Sequence, residues 1–275
     1  MADTDPKGPR ERPGHTGADR EAGAAWLACR QRRPEATARM YCFPHSGGSP
    51  GEYLRWSDGL PGLELWGVNL PGRGRRMSEE PYRRLEDLVG AIADAVDFRP
   101  PFALFGHSLG AVVAFEVARA LRDRGGPEPR ALLLSSYQAP HLPRTDPDVH
   151  GLPDEQLLPI VERQYGELST ALRDDPDFRQ FTLAYHRADF EMIETYRYAE
   201  GRPLSVPLTV VGGTEDYPKE ALEAWGRHTT GPFSVRLFPG DHFYLRAQRE
   251  GLLRLITSTL TPRPAAPVPS PQRVA

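Results

Sequence analysis

Residues 102–110 read Phe-Ala-Leu-Phe-Gly-His-Ser-Leu-Gly and run directly into Ala-Val-Val-Ala-Phe-Glu-Val-Ala-Arg-Ala-Leu over residues 111–121. An apolar run entering Gly106-His107-Ser108-Leu109-Gly110, with an amphipathic helix leaving it, is the context of a nucleophile elbow. A strand that reverses into a helix within a few residues holds its central residue in a strained conformation. A glycine two positions to either side leaves room for neighbouring backbone. Ser108 then stands at the carboxyl edge of a sheet. The helix that follows aims free N–H groups and its positive dipole end at the place where an oxyanion would form.

A second stretch fits the same pattern. Gly47-Gly48-Ser49-Pro50-Gly51 follows the apolar run at residues 40–44. The residue after a nucleophilic serine must donate its amide to the oxyanion, and Pro50 has no N–H. Leu109 has one. Ser108 is therefore the expected nucleophile, and the loop at 43–50 is left for another task.

Outward from the elbow the chain alternates two periodicities. Short apolar runs bounded by Gly, Pro or Asn occur at 39–43, 63–69, 102–105, 131–135, 208–211 and 235–238, and read as strands buried on both faces. Helical spacing joins Leu85, Leu88, Val89, Ile92 and Val96, and recurs over 109–121 and 246–260. This alternation predicts an α/β fold: a mostly parallel central sheet with helices on both faces. Residues 26–30 are expected to add an antiparallel edge strand. The connection from 137 to 206 is far longer than the dozen or so residues that a parallel crossover needs. An insertion at about 139–202 is expected, helical over 154–165 and 176–198. Its aromatic residues, Phe178, Phe181, Tyr185, Phe190, Tyr196 and Tyr198 among them, suit the core of a small helical subdomain, or a lid whose apolar inner face lines an acyl channel.

Bulk properties narrow the function classes. A chain of 275 residues with 39% hydrophobic content can bury one substantial core, so one domain over 22–261 is expected. A formal charge of −3 offers no basic excess for nucleic acid, and no apolar segment reaches membrane-spanning length. The N-terminal residues carry no apolar signal segment, which makes the cytoplasm the expected location. Residues 1–21 and the Pro-rich 262–275 read as a disordered arm and tail. Cys29 and Cys42 are too few for a disulfide framework, and Cys42 reads as a buried free thiol.

A serine hydroxyl needs a base within reach and a carboxylate to orient that base. Of eight histidines, His242 lies in Pro239-Gly240-Asp241-His242-Phe243, directly after a strand and before the last helix. Carboxyl-end loops are where such groups collect in open α/β sheets. His107 points away from its neighbour Ser108 if the elbow is right. The chain order serine, acid, histidine places the acid between 108 and 242. Asp216 follows the preceding strand in Gly212-Gly213-Thr214-Glu215-Asp216; Glu215 is the runner-up, and Asp241 is disfavoured because it adjoins the histidine. With Leu109, the second oxyanion amide is expected from Phe43-Pro44-His45-Ser46-Gly47-Gly48, Ser46 preferred over Gly47. Substrate contacts are expected from His45, Gly47, His107 and Phe243. Arg73, Arg75 and Arg76 could form a basic docking rim or a solvated loop.

Taken in order, Phe43-Pro44-His45-Ser46-Gly47-Gly48-Ser49, Leu70-Pro71-Gly72-Arg73-Gly74-Arg75, Gly106-His107-Ser108-Leu109-Gly110, Gly212-Gly213-Thr214-Glu215-Asp216 and Phe238-Pro239-Gly240-Asp241-His242-Phe243-Tyr244 resemble the stand-alone type II thioesterases of polyketide and nonribosomal peptide biosynthesis. The resemblance spans about residues 22–260. It implies the α/β-hydrolase fold with a helical lid, and hydrolysis of acyl groups from the phosphopantetheine arm of acyl or peptidyl carrier proteins. It implies Ser108, Asp216 and His242 as nucleophile, acid and base, and neither metal nor cofactor. A monomer is expected. The same triad would serve an esterase or an acyltransferase or cyclase; a non-enzymatic partner of the synthase is disfavoured by the intact triad.

Overall fold

The computed structural model describes residues 25–165, 172 and 174–260. The expected disordered arm (1–21) and tail (262–275) lie outside the described residues. Seven strands are formed among the described residues: β1 (Leu27–Ala28), β2 (Ala38–Phe43), β3 (Leu63–Val68), β4 (Phe102–His107), β5 (Leu132–Ser135), β6 (Leu208–Gly213) and β7 (Phe233–Phe238). They pair in the order β1-β3-β2-β4-β5-β6-β7. Only the β1–β3 pairing, at the expected edge, is antiparallel.

Alternate side chains of a strand enter opposite layers. Tyr41, Phe43, Phe102 and Leu104 pack into one layer, with Leu88 and Ile92 of the helix Leu85–Ala95 and Val113 and Val117 of the helix Leu109–Asp123. Met40, Cys42, Ala103 and Phe105 pack into the other, with Trp56, Leu252 and Ile256. Both faces of the central strands are therefore covered, which is why their sequence shows continuous apolar runs. β4 and β6 each extend two residues beyond expectation, through Gly106-His107 and Gly212-Gly213, and β7 starts two residues earlier. Glycine and a buried polar residue hide a strand from an apolar count.

The helices, in chain order, are α1 (Gly51–Leu54), α2 (Leu85–Ala95), α3 (Leu109–Asp123), α4 (Asp154–Tyr165), α5 (Pro176–Thr195), α6 (Lys219–Glu223), α7 (Tyr244–Ala247) and α8 (Arg249–Leu260). The single helix expected at 246–260 is two, divided at Gln248, and the division lets Tyr244 and Leu245 enter the same layer as Leu252. The insertion supplies α4 and α5, with Leu157, Val161, Leu183 and Phe190 as their own small core. α5 starts where Asp175 accepts from the amides of Asp177 and Phe178, with Pro176 in the first turn. It ends at Thr195, three residues short of expectation, because Tyr196 turns extended.

The chain lays β3 on one side of β2 and then crosses to lay β4 on the other. The loops after β2 and β4 diverge at this switch point and leave a crevice, the place where open parallel sheets bind ligands. Among the described residues no helix is long and apolar enough to cross a membrane.

Candidate active site

Ser108 sits in the turn between β4 and α3 with φ 56° and ψ −122°. Positive φ at a non-glycine residue stores roughly 1–3 kcal/mol of strain. The Ser108 amide is tied to the Ser135 carbonyl of β5 at 2.8 Å. The flanking glycines are required by backbone crowding: a Cβ at Gly106 would stand 1.9 Å from the Gly110 carbonyl oxygen, and one at Gly110 would stand 2.1 Å from the Phe43 oxygen. Leu109 opens α3, so its N–H is among those a helix leaves without an intrahelical acceptor.

Two further carboxyl-end loops meet beside the elbow. His242 Nδ1 lies 3.0 Å from Asp216 Oδ1. A carboxylate at Nδ1 favours the tautomer that leaves Nε2 free to accept a proton. The loops are laced together: Thr214 N–H donates to Phe238 O and Glu215 N–H to Gly240 O, both at 2.9 Å. Gly213 has no room for a Cβ, which would meet the Asp241 oxygen at 2.2 Å. Ser136, also at positive φ, donates its hydroxyl to the His242 carbonyl at 3.2 Å. The alternatives for the acid are placed elsewhere. Glu215 is exposed, and Asp241 Oδ1 accepts the Phe243 amide at 2.8 Å.

These groups open on a cavity of about 640 Å³ whose lining includes Ser46, Ser108, Asp216 and His242, with an apolar side built from Val149, Ile160, Phe190 and Ile193 of the insertion. The expected substrate contacts divide. His45 and Phe243 line the cavity. His45 Nδ1 lies 2.9 Å from the Tyr53 hydroxyl, and burial, with the nearby Arg246 charge, pushes its pKa down to about 3, so the ring is neutral. His107 does not contact this space: it is wholly buried, with Nδ1 2.9 Å from Ser135 Oγ, which in turn lies 2.8 Å from the Tyr244 hydroxyl. The expectation for His107 is corrected accordingly. Gly47 is likewise not on the cavity wall, and its amide donates to Asp189 Oδ2 at 2.6 Å. Ser46 lines the cavity, and its amide has no acceptor among the described residues.

The arginine loop also departs from expectation. Arg73 is buried in an ion pair with Asp189 of α5, and Arg76 is buried against Trp26 and paired with Glu79. Of the three, only Arg75 is exposed. Neither a basic rim nor a solvated loop describes Arg73 and Arg76. Asp189 and Ser136 are the neighbours of the site that reading the sequence did not single out.

A family model described as a thioesterase domain matches residues 38–260. The chain is 37% identical over 242 residues to linear gramicidin dehydrogenase LgrE of Brevibacillus parabrevis, covering 86% of this chain and 92% of LgrE. It is 35% identical over 248 residues to thioesterase PikA5 of Streptomyces venezuelae, covering 88% of each. Among solved structures, the type II thioesterase BorB from the borrelidin biosynthetic cluster superposes with a TM-score of 0.76 at 32% identity, covering 86% of this chain and 96% of BorB.

Proposed function

The chain belongs to the thioesterase domain family, and on that footing we propose that it hydrolyses acyl thioesters from the phosphopantetheine arm of acyl or peptidyl carrier proteins, as an editing thioesterase of polyketide or nonribosomal peptide assembly. His242 Nε2 takes the Ser108 proton as Oγ attacks the thioester carbonyl. The amides of Leu109 and Ser46 hold the oxyanion. The C–S bond breaks, and the pantetheine thiol leaves with the proton from His242. Water, deprotonated by the same nitrogen, then attacks the acyl-serine ester and releases the carboxylic acid. Asp216 holds the tautomer and stabilises the imidazolium formed in each half-reaction.

The observation that carries the reading is the shared cavity: an elbow serine, a histidine paired with a carboxylate, and the β2 loop residue Ser46 all line one space. Part of its wall is the apolar patch of Val149, Ile160, Phe190 and Ile193, beside charged residues such as Arg144, Arg163 and Glu194. An apolar wall suits an acyl chain. The inserted helices, about 139–202, would act as the lid, and one chain supplies every group, so a monomer suffices. The activity in the name of LgrE is not carried over. The first βα turn, after β2, reads His45-Ser46-Gly47-Gly48-Ser49-Pro50-Gly51 and lacks the G-x-G-x-x-G spacing that a dinucleotide site sets against a pyrophosphate.

The test offers purified protein an acyl-carrier protein, an acyl-pantetheine thioester and a p-nitrophenyl ester. Carrier-bound substrate should be hydrolysed in preference, and Ser108→Ala should abolish turnover. Equal or faster turnover of simple esters, with no carrier preference, would overturn the substrate assignment.

A further inference from the structure

Asp189 lies in the second half of α5, wholly buried, and its carboxylate accepts three hydrogen bonds at 2.6 Å. Oδ2 accepts from the Gly47 amide and from Arg73 Nη1, and Oδ1 accepts from Arg73 Nη2. Arg73 Nη1 also donates to the Gly48 carbonyl at 3.3 Å, and its guanidinium lies 4.8 Å from the centroid of the Tyr185 ring, one turn earlier on α5. Between them the His186 ring occupies the place a Gly47 Cβ would take, 2.0 Å from it. Positions 185, 186 and 189 share one helix face. That face grips the loop which also presents the Ser46 amide.

The loop is a tight turn closed by Gly48 N–H donating to His45 O at 2.8 Å, and Gly47, its third residue, has φ +71°, which favours glycine. In so short a turn, fixing the peptide between Ser46 and Gly47 also fixes the peptide before it, which carries the Ser46 N–H. A buried carboxylate is stable only when paired and hydrogen-bonded, so Asp189 holds Gly47 and Arg73 in one geometry.

We propose that Asp189 and Arg73 are positioning residues for the oxyanion amide of Ser46, and that they make its alignment depend on the docking of α5. This rests on the proposed reading only in taking Ser108 as the nucleophile and Ser46 as an oxyanion donor. Movement of α5 away from the loop would remove the acceptor of the Gly47 amide and release the turn.

The test measures acylation of Ser108 by a short p-nitrophenyl ester and by a fluorophosphonate probe, neither of which needs a carrier protein. It adds inhibition by a trifluoromethyl ketone, whose serine adduct carries an oxyanion. Asp189→Asn should lower the acylation rate by about 10²-fold, the scale of a misplaced or lost oxyanion donor, with KM changed by no more than about 3-fold. Ketone affinity should fall in parallel. Arg73→Lys keeps the charge but loses the two-pronged contact, and should lower acylation by about 10-fold. Glu64→Gln removes the charge of a buried carboxylate paired with the exposed Arg32 and the half-buried Arg39 at the other end of β3, and should lower stability without touching acylation. Arg73→Lys decides alone if Asp189→Asn fails to fold. Folded variants that acylate Ser108 and bind the ketone at wild-type strength would overturn the proposal. Wild-type protein inert to the probe would overturn it together with the nucleophile; wild-type protein that labels but ignores carrier thioesters would remove the substrate assignment and leave this test standing.

Discussion

Replacing Gly110 by alanine should damage stability and turnover together, because one contact serves both. The added Cβ would lie 2.1 Å from the Phe43 carbonyl oxygen, 2.6 Å from its carbon and 2.7 Å from the Pro44 oxygen. All three are backbone atoms at the end of β2, so no side chain can swing aside. Restoring ordinary contact requires α3 and the β2 end to part by roughly 1 Å in a close-packed interior. Overpacking typically costs about 1–3 kcal/mol, and a backbone collision belongs at the upper end. For a chain of this size that is a fall of roughly 6–12 °C in Tm. The parting elements carry both proposed oxyanion amides: Leu109 adjoins Gly110, and Ser46 follows Phe43 by three residues. Misplacement of about 1 Å should lower kcat by about 10²-fold. Gly90, inside α2 with nothing within 4 Å of the place its Cβ would take, is the control. Gly90→Ala should gain roughly 0.5–1 kcal/mol from helix preference and leave kcat alone. Urea unfolding and thiol release from a short acyl thioester read the two effects. A Gly110→Ala protein as stable and as active as Gly90→Ala would refute the crowding argument.

Asp216→Asn should lower kcat by about 10⁴-fold through the wrong histidine tautomer while leaving the melting curve close to wild type; a loss under 10-fold would remove Asp216 from its role. Ser49→Ala, at an exposed position before Pro50, should keep nearly full activity in the same thiol-release assay, and a dead variant would reopen the choice of nucleophile. Stability should fall as the pH drops from 7.5 to 5.5. Burial holds His45 at a pKa of about 3 and His186 at about 4, against about 6.5 unfolded. Their folded values are depressed, so the unfolded chain takes up protons first. The contribution is complete above the unfolded value and is lost on acidification toward the folded values, by about 1 kcal/mol for each ring at pH 5.5. Urea midpoints that match at the two pH values would contradict this.

The elbow was legible because its physics is mostly local: nine residues carry a strand, a turn and a helix start, and Gly106 answers to the Gly110 backbone within the same turn, although Gly110 answers to the Phe43 and Pro44 backbone at the end of β2. His242 and Asp216 were legible for a different reason, since loops after adjacent parallel strands meet at one sheet edge whatever lies between them. His107 misled because it adjoins the serine, although strand parity held the correction. Ala103, Phe105 and His107 share a face of β4, and the first two enter the layer beneath α8. A residue in that register faces Tyr244 and not the crevice. Arg73 had no comparable signal. Its partner is 116 residues away on a helix of the insertion, and nothing near position 73 distinguishes a buried arginine from a solvated one.

That long-range pair also bears on how the cavity opens. Breaking a buried ion pair by taking one partner away costs about 3–5 kcal/mol, because the remaining charge stays desolvated. If α5 leaves the β2 loop with Arg73 still under it, the open form is held below about one molecule in a hundred at the lower figure. An insertion packed by apolar contacts alone would face no such threshold, since α4 and α5 share only a small core of their own. Hydrogen exchange of the α5 amides, followed by mass spectrometry, separates the two cases. Asp189→Asn should speed exchange along α5 by about 10-fold or more, as the neutral side chain no longer leaves an unpaired carboxylate when the helix departs. Exchange equal to wild type would mean that α5 is held by its apolar face and that Asp189 acts on the loop alone.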